Sequence, residues 1–161
     1  MTAPPFHPPL MKYPPITSGA SVKQWQRQMR NRGWNLDPDG QYGPISKRIC
    51  QNFQREHGLD VDGIVGPITW KAAWEAPSTT SPPPPVVELP FASGSVSDAV
   101  KKWERQADSR GYRIKNIDGH YDDESASAAL LLQSALGLPE TGEVDEETWE
   151  AAWKERVAIS V

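Results

Sequence analysis

The sequence predicts an all-α protein built as two small three-helix bundles, joined by a proline-rich linker and preceded by an extended proline-rich arm. Three observations carry this expectation. The chain repeats itself, apolar residues recur at helical spacing inside each copy, and prolines crowd the stretches between and before the copies.

The repetition runs almost without gaps. VKQWQRQMRNRGW, DGQYGPIS, FQREHGL and DGIVGPITWKAAW return as VKKWERQADSRGY, DGHYDDES, LQSALGL and TGEVDEETWEAAW. Val22, Trp25 and Gly33 match Val100, Trp103 and Gly111 at an offset of 78, and from Asp39/Asp118 to Trp74/Trp153 the offset is 79. One residue has therefore entered the intervening loop. Six of the seven tryptophans pair as Trp25/Trp103, Trp70/Trp149 and Trp74/Trp153, while Trp34 stands opposite Tyr112. The expected organisation is an arm over residues 1–17, a first repeat over 18–76, a linker over 77–91 and a second repeat over 92–161.

Each repeat reads as three short helices. Val22, Trp25 and Met29 form one stripe of a first helix ending near Gly33; Ile49 and Phe53 mark the inner face of a second, ending at Gly58. A third runs from Pro67 to about Trp74. Gly43-Pro44 and Gly66-Pro67 become Asp122-Asp123 and Asp145-Glu146 in the second copy. Either pair starts a helix: glycine at the cap with proline in the first turn, or aspartate at the cap with acids facing the positive dipole end. A positive φ at Gly43 and Gly66 is one further use of glycine there. Ile16 and Phe91, each just ahead of its repeat, are expected to cap the two cores. The linker, with four consecutive prolines, and the arm favour extended polyproline II.

Composition narrows the function. A net charge of −4 argues against a basic nucleic-acid binder, and no stretch approaches the ~20 apolar residues of a membrane span. The arm has neither a basic start nor an apolar run and is not read as a secretory signal. Cys50 has no second cysteine to pair with, and Ala129 takes its place in the duplicate, so it reads as a small helix residue. His7, His57 and His120 are scattered without metal-ligand spacing. Asp37-Pro38-Asp39-Gly40 hints at a calcium loop, but the other ligands of such a loop are missing, and Asp39 is better read as fixing the turn. The acids of the second repeat fall mostly at helix starts. No enzyme, metal or cofactor is expected.

The pattern carried by Val22, Trp25, Gln26, Gly33, Asp39, Gly40, Tyr42, Gly43, Ser46, Phe53, Gln54, Gly58, Leu59, Asp62, Gly63, Val65, Gly66, Thr69 and Trp70 resembles the peptidoglycan-binding domain family. With its duplicate the match covers about residues 18–76 and 92–156. The resemblance implies a three-helix accessory module of the kind attached to wall hydrolases, bacteriophage endolysins included. The second repeat departs from the pattern at Asp122 and at Thr141-Gly142.

Candidate ligand contacts in the first repeat are Trp34, Asp39, Gly40, Gln41, Tyr42, Gly43, Asp62, Gly63 and Gly66; in the second, His120 and Tyr121. Tyr42 and Tyr121 are read as packed rings with hydroxyls reaching solvent, sugar stacking being the alternative. Trp70 and Trp149 read as core. Trp34 stays open between an exposed contact and loop packing. Helix N-termini suit the stem-peptide carboxylates of peptidoglycan, and the first repeat leaves them uncovered whereas Asp122 and Asp145 occupy them in the second. Charge runs the same way: residues 22–74 carry 8 basic and 5 acidic groups, residues 100–153 carry 6 and 12. The reading is a non-catalytic protein binding the glycan and stem peptide of the bacterial wall, carried as a bacteriophage virion component or released by host lysis, with other virion proteins met through the arm. Its alternatives are a structural adaptor (a capsid decoration or tail protein) that has lost glycan binding, and the wall-binding part of an endolysin.

Overall fold

The computed structural model describes residues 2–79, 84 and 88–155, which form two compact units, one on either side of the linker. Most of the stretch expected to be polyproline II, residues 80–83 and 85–87, lies outside the described residues, as do 156–161 at the end of the second repeat.

The first unit holds α1 (Ala20–Asn31), α2 (Pro44–Glu56) and α3 (Pro67–Glu75). β1 (Thr17–Ser18) runs antiparallel to β2 (Gln41–Tyr42), with Thr17 opposite Tyr42. The second unit holds α4 (Asp98–Ser109), α5 (Asp123–Leu136) and α6 (Glu146–Ala151), and a single bridge, Val96 to His120, stands where the ladder would be. The architecture is all-α, with two-residue strands as trim.

Local chemistry sets the helix ends. α1 buries Val22, Trp25, Gln26 and Met29, positions i, i+3, i+4 and i+7 of one face. It stops where Gly33, at φ 95°, lets the Trp34 N–H turn back to the Met29 carbonyl at 3.1 Å. The second unit repeats this with Gly111 at φ 92° and Tyr112 bonded to Ala107 at 3.0 Å. Arg32, at the end of α1, donates to the carbonyls of Ala73, Ala76 and Pro77 at 3.0–3.2 Å and so ties α1 to the C-terminal end of α3.

Each core is built on its indoles. Trp25 and Trp103 are fully buried, 5.7 Å from Tyr42 and 6.0 Å from Tyr121 between ring centroids. Trp70 and Trp74 lie 4.5 Å apart at 39°, Trp149 and Trp153 4.5 Å apart at 41°. Rings of this size each bury on the order of 150–250 Å², which offsets the small size of the bundles.

One expectation about the lead-ins is corrected. Ile16 does not cap a core; it is half exposed. Met11 takes that position, buried and bridged to Val65, as Phe91 is buried and bridged to Val144. The pairing failed because the first lead-in is longer: five residues separate Met11 from Thr17, three separate Phe91 from Ser95, the residue whose carbonyl takes the Tyr121 N–H. The arm, moreover, lies on its own bundle. Trp70 Nε1 donates to the Pro4 carbonyl at 2.7 Å, Phe6 packs edge-on against Trp70, and the Ala3 N–H meets the Glu75 carboxylate.

Candidate functional site

The candidate residues of the first unit assemble around two turns that are copies of one another. Preceding each is a helix glutamine with a buried amide, Gln26 in α1 and Gln54 in α2. Gln26 Oε1 accepts the Gly40 N–H at 2.9 Å, while Nε2 donates to the Gln41 carbonyl at 3.0 Å, Ser46 Oγ at 3.1 Å and Asp39 Oδ1 at 3.2 Å. Gln54 Oε1 accepts the Gly63 N–H at 3.0 Å; its Nε2 donates to the Ile64 carbonyl and Thr69 Oγ1, each at 3.1 Å, and to Asp62 Oδ1 at 2.8 Å.

An amide is required because each turn offers both a donor and acceptors to one buried side chain. Asp39 and Asp62 complete the turns by accepting the N–H two residues on, from Gln41 and Ile64, at 2.9 Å in both cases. Glycine is needed at position 40, where φ is +78° and a Cβ would press on the Gly19 carbonyl at 3.3 Å.

Beyond each turn a helix starts without a side-chain cap, at Gly43 and at Gly66. Positive φ is not the reason for these glycines: their φ values are −104° and −101°. Each start opens onto a groove. Leu36, Asp37, Asp39, Gln41, Gly43, Pro44, Ile45 and Ser46 line the first, with Ile16. The second is lined by residues at a constant offset of 23, Leu59 through Thr69, with Leu10. Ile45 and Ile68 stand exposed at the rims.

Tyr42 joins the two turns from inside. Its ring is buried and its hydroxyl donates to the Gly63 carbonyl at 2.6 Å, so it does not reach solvent. Tyr121 donates likewise to Gly142 at 2.5 Å. Burial raises both phenols. Neither ring is a stacking platform. Trp34 is also settled as packing: it is 1% exposed and meets Phe53 edge-on at 6.2 Å. Burial pushes the Cys50 thiol up to about 12, which keeps it a protonated core residue. Among the described residues no group of three or more His, Cys, Asp or Glu side chains could hold a metal, and no helix is long and apolar enough to cross a membrane.

Asp39, Gly40, Gln41, Gly43, Asp62, Gly63 and Gly66 thus come together at the two turns, with only Gly63 of these buried. Sequence reasoning passed over Gln26 and Gln54 as clamps, and over Leu36, Ile45, Leu59 and Ile68 as groove walls. The signal was present: DGQYGPIS and DGIVGPIT stand 23 residues apart inside a single repeat.

The second unit fills the same places. Asp122 Oδ1 accepts from the Glu124 and Ser125 N–H groups at 2.9 and 3.1 Å, and Asp145 Oδ1 from Thr148 at 2.9 Å. Glu124, standing where Ile45 stands in the first unit, accepts from the Lys115 and Asn116 N–H groups. His120 is exposed beside the buried Tyr121.

Two copies of a three-helix module, the first with glycine-containing turns that open onto surface grooves, define a class of protein built by duplication. The family described as "Putative peptidoglycan binding domain" matches residues 18–73 and 96–152, and the chain belongs to that family. The chain is 39% identical over 62 residues to the zinc D-Ala-D-Ala carboxypeptidase of Streptomyces albus G, covering 37% of this chain and 24% of that protein. It is 29% identical over 152 residues to the N-acetylmuramoyl-L-alanine amidase CwlL of Bacillus licheniformis, covering 81% of this chain and 42% of the amidase. The chain thus spans less than half the length of these relatives. No solved structure matches it.

Proposed function

We propose that this protein binds peptidoglycan without catalysis, through the two turns of its first unit, and that the second unit serves another partner. The observation that carries the reading is the difference in capping. At Gly43 and Gly66 the first N–H groups of α2 and α3 lack a side-chain partner, whereas Asp122 and Asp145 satisfy their counterparts in α5 and α6. An uncapped N-terminus favours an anion such as a stem-peptide carboxylate, and an aspartate already seated there repels it. The exposed Ile45 and Ile68 give the apolar part of the ligand a surface to rest on.

The test is the double change Gly43→Asp and Gly66→Asp in the full chain, read by sedimentation with purified sacculi and by a thermal melt. Both φ values suit aspartate, a Cβ at Gly43 meets open space, and one at Gly66 comes 3.3 Å from Leu10 Cδ2, the end of a flexible, partly exposed side chain that can give way. The melt is therefore expected to hold while wall binding falls about tenfold, the effect of roughly 0.7 kcal/mol of repulsion at each of two helix starts. A folded variant that sediments as well as wild type would remove the helix-start mechanism.

A second reading follows from the partial coverage of the relatives: the chain is the wall-binding part of a larger hydrolase of the endolysin kind. Release of new amino or reducing ends from sacculi by the purified chain alone would overturn the non-catalytic reading. Delivery in a bacteriophage virion, or by host lysis, belongs to the same proposal; mass spectrometry of purified particles against the lysate checks it. The packing of residues 3–11 on the first bundle leaves that arm less suited to docking on a virion partner than its proline content suggests.

A further inference from the structure

Four turns of this chain share one plan, and in one of them the clamping residue is changed. In each, an apolar helix residue precedes the residue that clamps the next turn: Trp25-Gln26, Phe53-Gln54, Trp103-Glu104 and Leu132-Gln133. Gln133 repeats the glutamine geometry, with Oε1 accepting from Gly142 at 3.0 Å and Nε2 donating to the Glu143 carbonyl at 2.9 Å and Thr148 Oγ1 at 3.1 Å. Glu104, fully buried, has two acceptors instead. Its Oε2 takes the Gly119 N–H at 3.0 Å and its Oε1 takes the Ser125 hydroxyl at 2.8 Å.

The consequence falls on one carbonyl. In the three glutamine turns the carbonyls of Gln41, Ile64 and Glu143 receive an amide N–H at 2.9–3.1 Å. Among the described residues the matching carbonyl, that of His120, takes its side-chain bond from the Ser125 hydroxyl at 3.4 Å, and that hydroxyl is closer to Glu104 at 2.8 Å. A carboxylate has no proton to give, whereas a carboxylic acid has one.

We propose that Glu104 makes the 118–125 turn of the second unit a pH-sensitive latch. Protonated, its acid group has a proton to donate into the turn, as the amide of Gln26 donates in the first unit; ionised, its proton released to water, it only accepts, the His120 carbonyl keeps no close donor among the described residues, and the turn loosens. The turn carries His120 and Tyr121, so loosening changes the surface this unit presents.

The surroundings favour the proton. Burial raises the carboxyl above its ordinary range and outweighs the bonds from the Gly119 N–H, the Ser125 hydroxyl and the Asp118 N–H, which oppose it, while the Asp118 charge adds to the rise. From the loop the group faces Asp118 and the Tyr121 phenol, and from α5 it faces Asp122 through Ser125 Oγ, 3.3 Å from Asp122 Oδ1. On its own helix, Lys101 packs its Cβ toward Gly119 but is exposed. A carboxyl that titrates higher folded than unfolded contributes fully below the ordinary glutamate range and loses that contribution as pH rises through its raised folded value. The second unit is therefore tighter in acid.

The test uses the full chain. Carbon-13 NMR of the glutamate carboxyls, with Glu104→Gln assigning the resonance, is expected to show the Glu104 midpoint raised above those of the exposed glutamates. Hydrogen exchange of the Gly119 amide, corrected for intrinsic chemistry and ratioed to Gly40, should accelerate about tenfold between acid and mildly alkaline pH. Glu104→Gln should flatten that ratio, and Gln26→Glu should transfer the dependence to Gly40. An ordinary midpoint, a flat ratio in the wild type, or a dependence that survives Glu104→Gln overturns the latch. Should Gln26→Glu fail to fold, the Glu104→Gln comparison decides alone.

Discussion

The two units keep the same core and change what surrounds their helix starts. Trp25 and Trp103, Tyr42 and Tyr121, and the paired indoles of α3 and α6 occupy matching places with nearly matching distances. At the surface the first unit shows glycine, proline and isoleucine where the second shows acids: Gly43, Pro44 and Ile45 against Asp122, Asp123 and Glu124. The acidic set closes on itself, since Asp122 caps α5 and Glu124 reaches back to the loop. A duplicated module can thus retain its fold and exchange uncapped helix starts for capped ones. Core rings answer to packing, whereas helix starts tolerate any residue that satisfies or spares the first N–H groups.

The sharpest way to break the comparison is through the core. Trp25→Ala and Trp103→Ala should each cost ~3–5 kcal/mol, as buried aromatic truncations do, and each should lower the melting of its own unit only. Trp34→Ala belongs with them: a large loss of stability is expected, and a stable variant that merely lost wall binding would return Trp34 to the ligand surface. Denaturant unfolding followed by circular dichroism measures all three.

Next come the clamps. Gln26→Ala and Gln54→Ala each take the side-chain acceptor from a turn N–H and the amide donor from a turn carbonyl, at about 1–3 kcal/mol per variant. Equal losses in the first unit would support the two turns as copies; a loss at one alone would show that their likeness is only geometric.

Smaller still are the caps. Asp122→Ala should destabilise the second unit by ~1 kcal/mol, and Asp145→Ala by a similar amount, because each removes an acceptor from uncovered N–H groups. Gly43→Ala should cost less, about half a kcal/mol in the melt, since no side-chain cap is lost there and alanine is only the poorer residue at a helix start. A large loss at Gly43 would contradict the open, unstrained start on which the wall-binding proposal rests.

Helix boundaries were legible because they depend on neighbours in sequence. The stripe of Val22, Trp25 and Met29 and the stops at Gly33 and Gly58 follow from 3.6-residue periodicity and from glycine's access to positive φ. The turn role of Asp39 was legible for the same reason, its partner being the N–H two residues on. The lead-in was misread because a local likeness, Ile16-Thr17-Ser18-Gly19 to Phe91-Ala92-Ser93-Gly94, outranked a lengthened loop that sequence spacing could not reveal.

The sequence by itself determined that there are two copies, which residues end the helices, and that the copies differ in charge at their helix starts. Only tertiary structure decided that Trp34 and Tyr42 face inward, that Met11 rather than Ile16 caps the first core, and that Gln26, Gln54, Gln133 and Glu104 hold the turns. The physical reason is range. Capping and periodicity act between residues a few positions apart, where order along the chain is order in space. Burial of a ring, or the filling of one buried donor and acceptor set by a side chain from another helix, depends on which distant segments meet, as Tyr42 meets Gly63 and Gln26 meets Gly40.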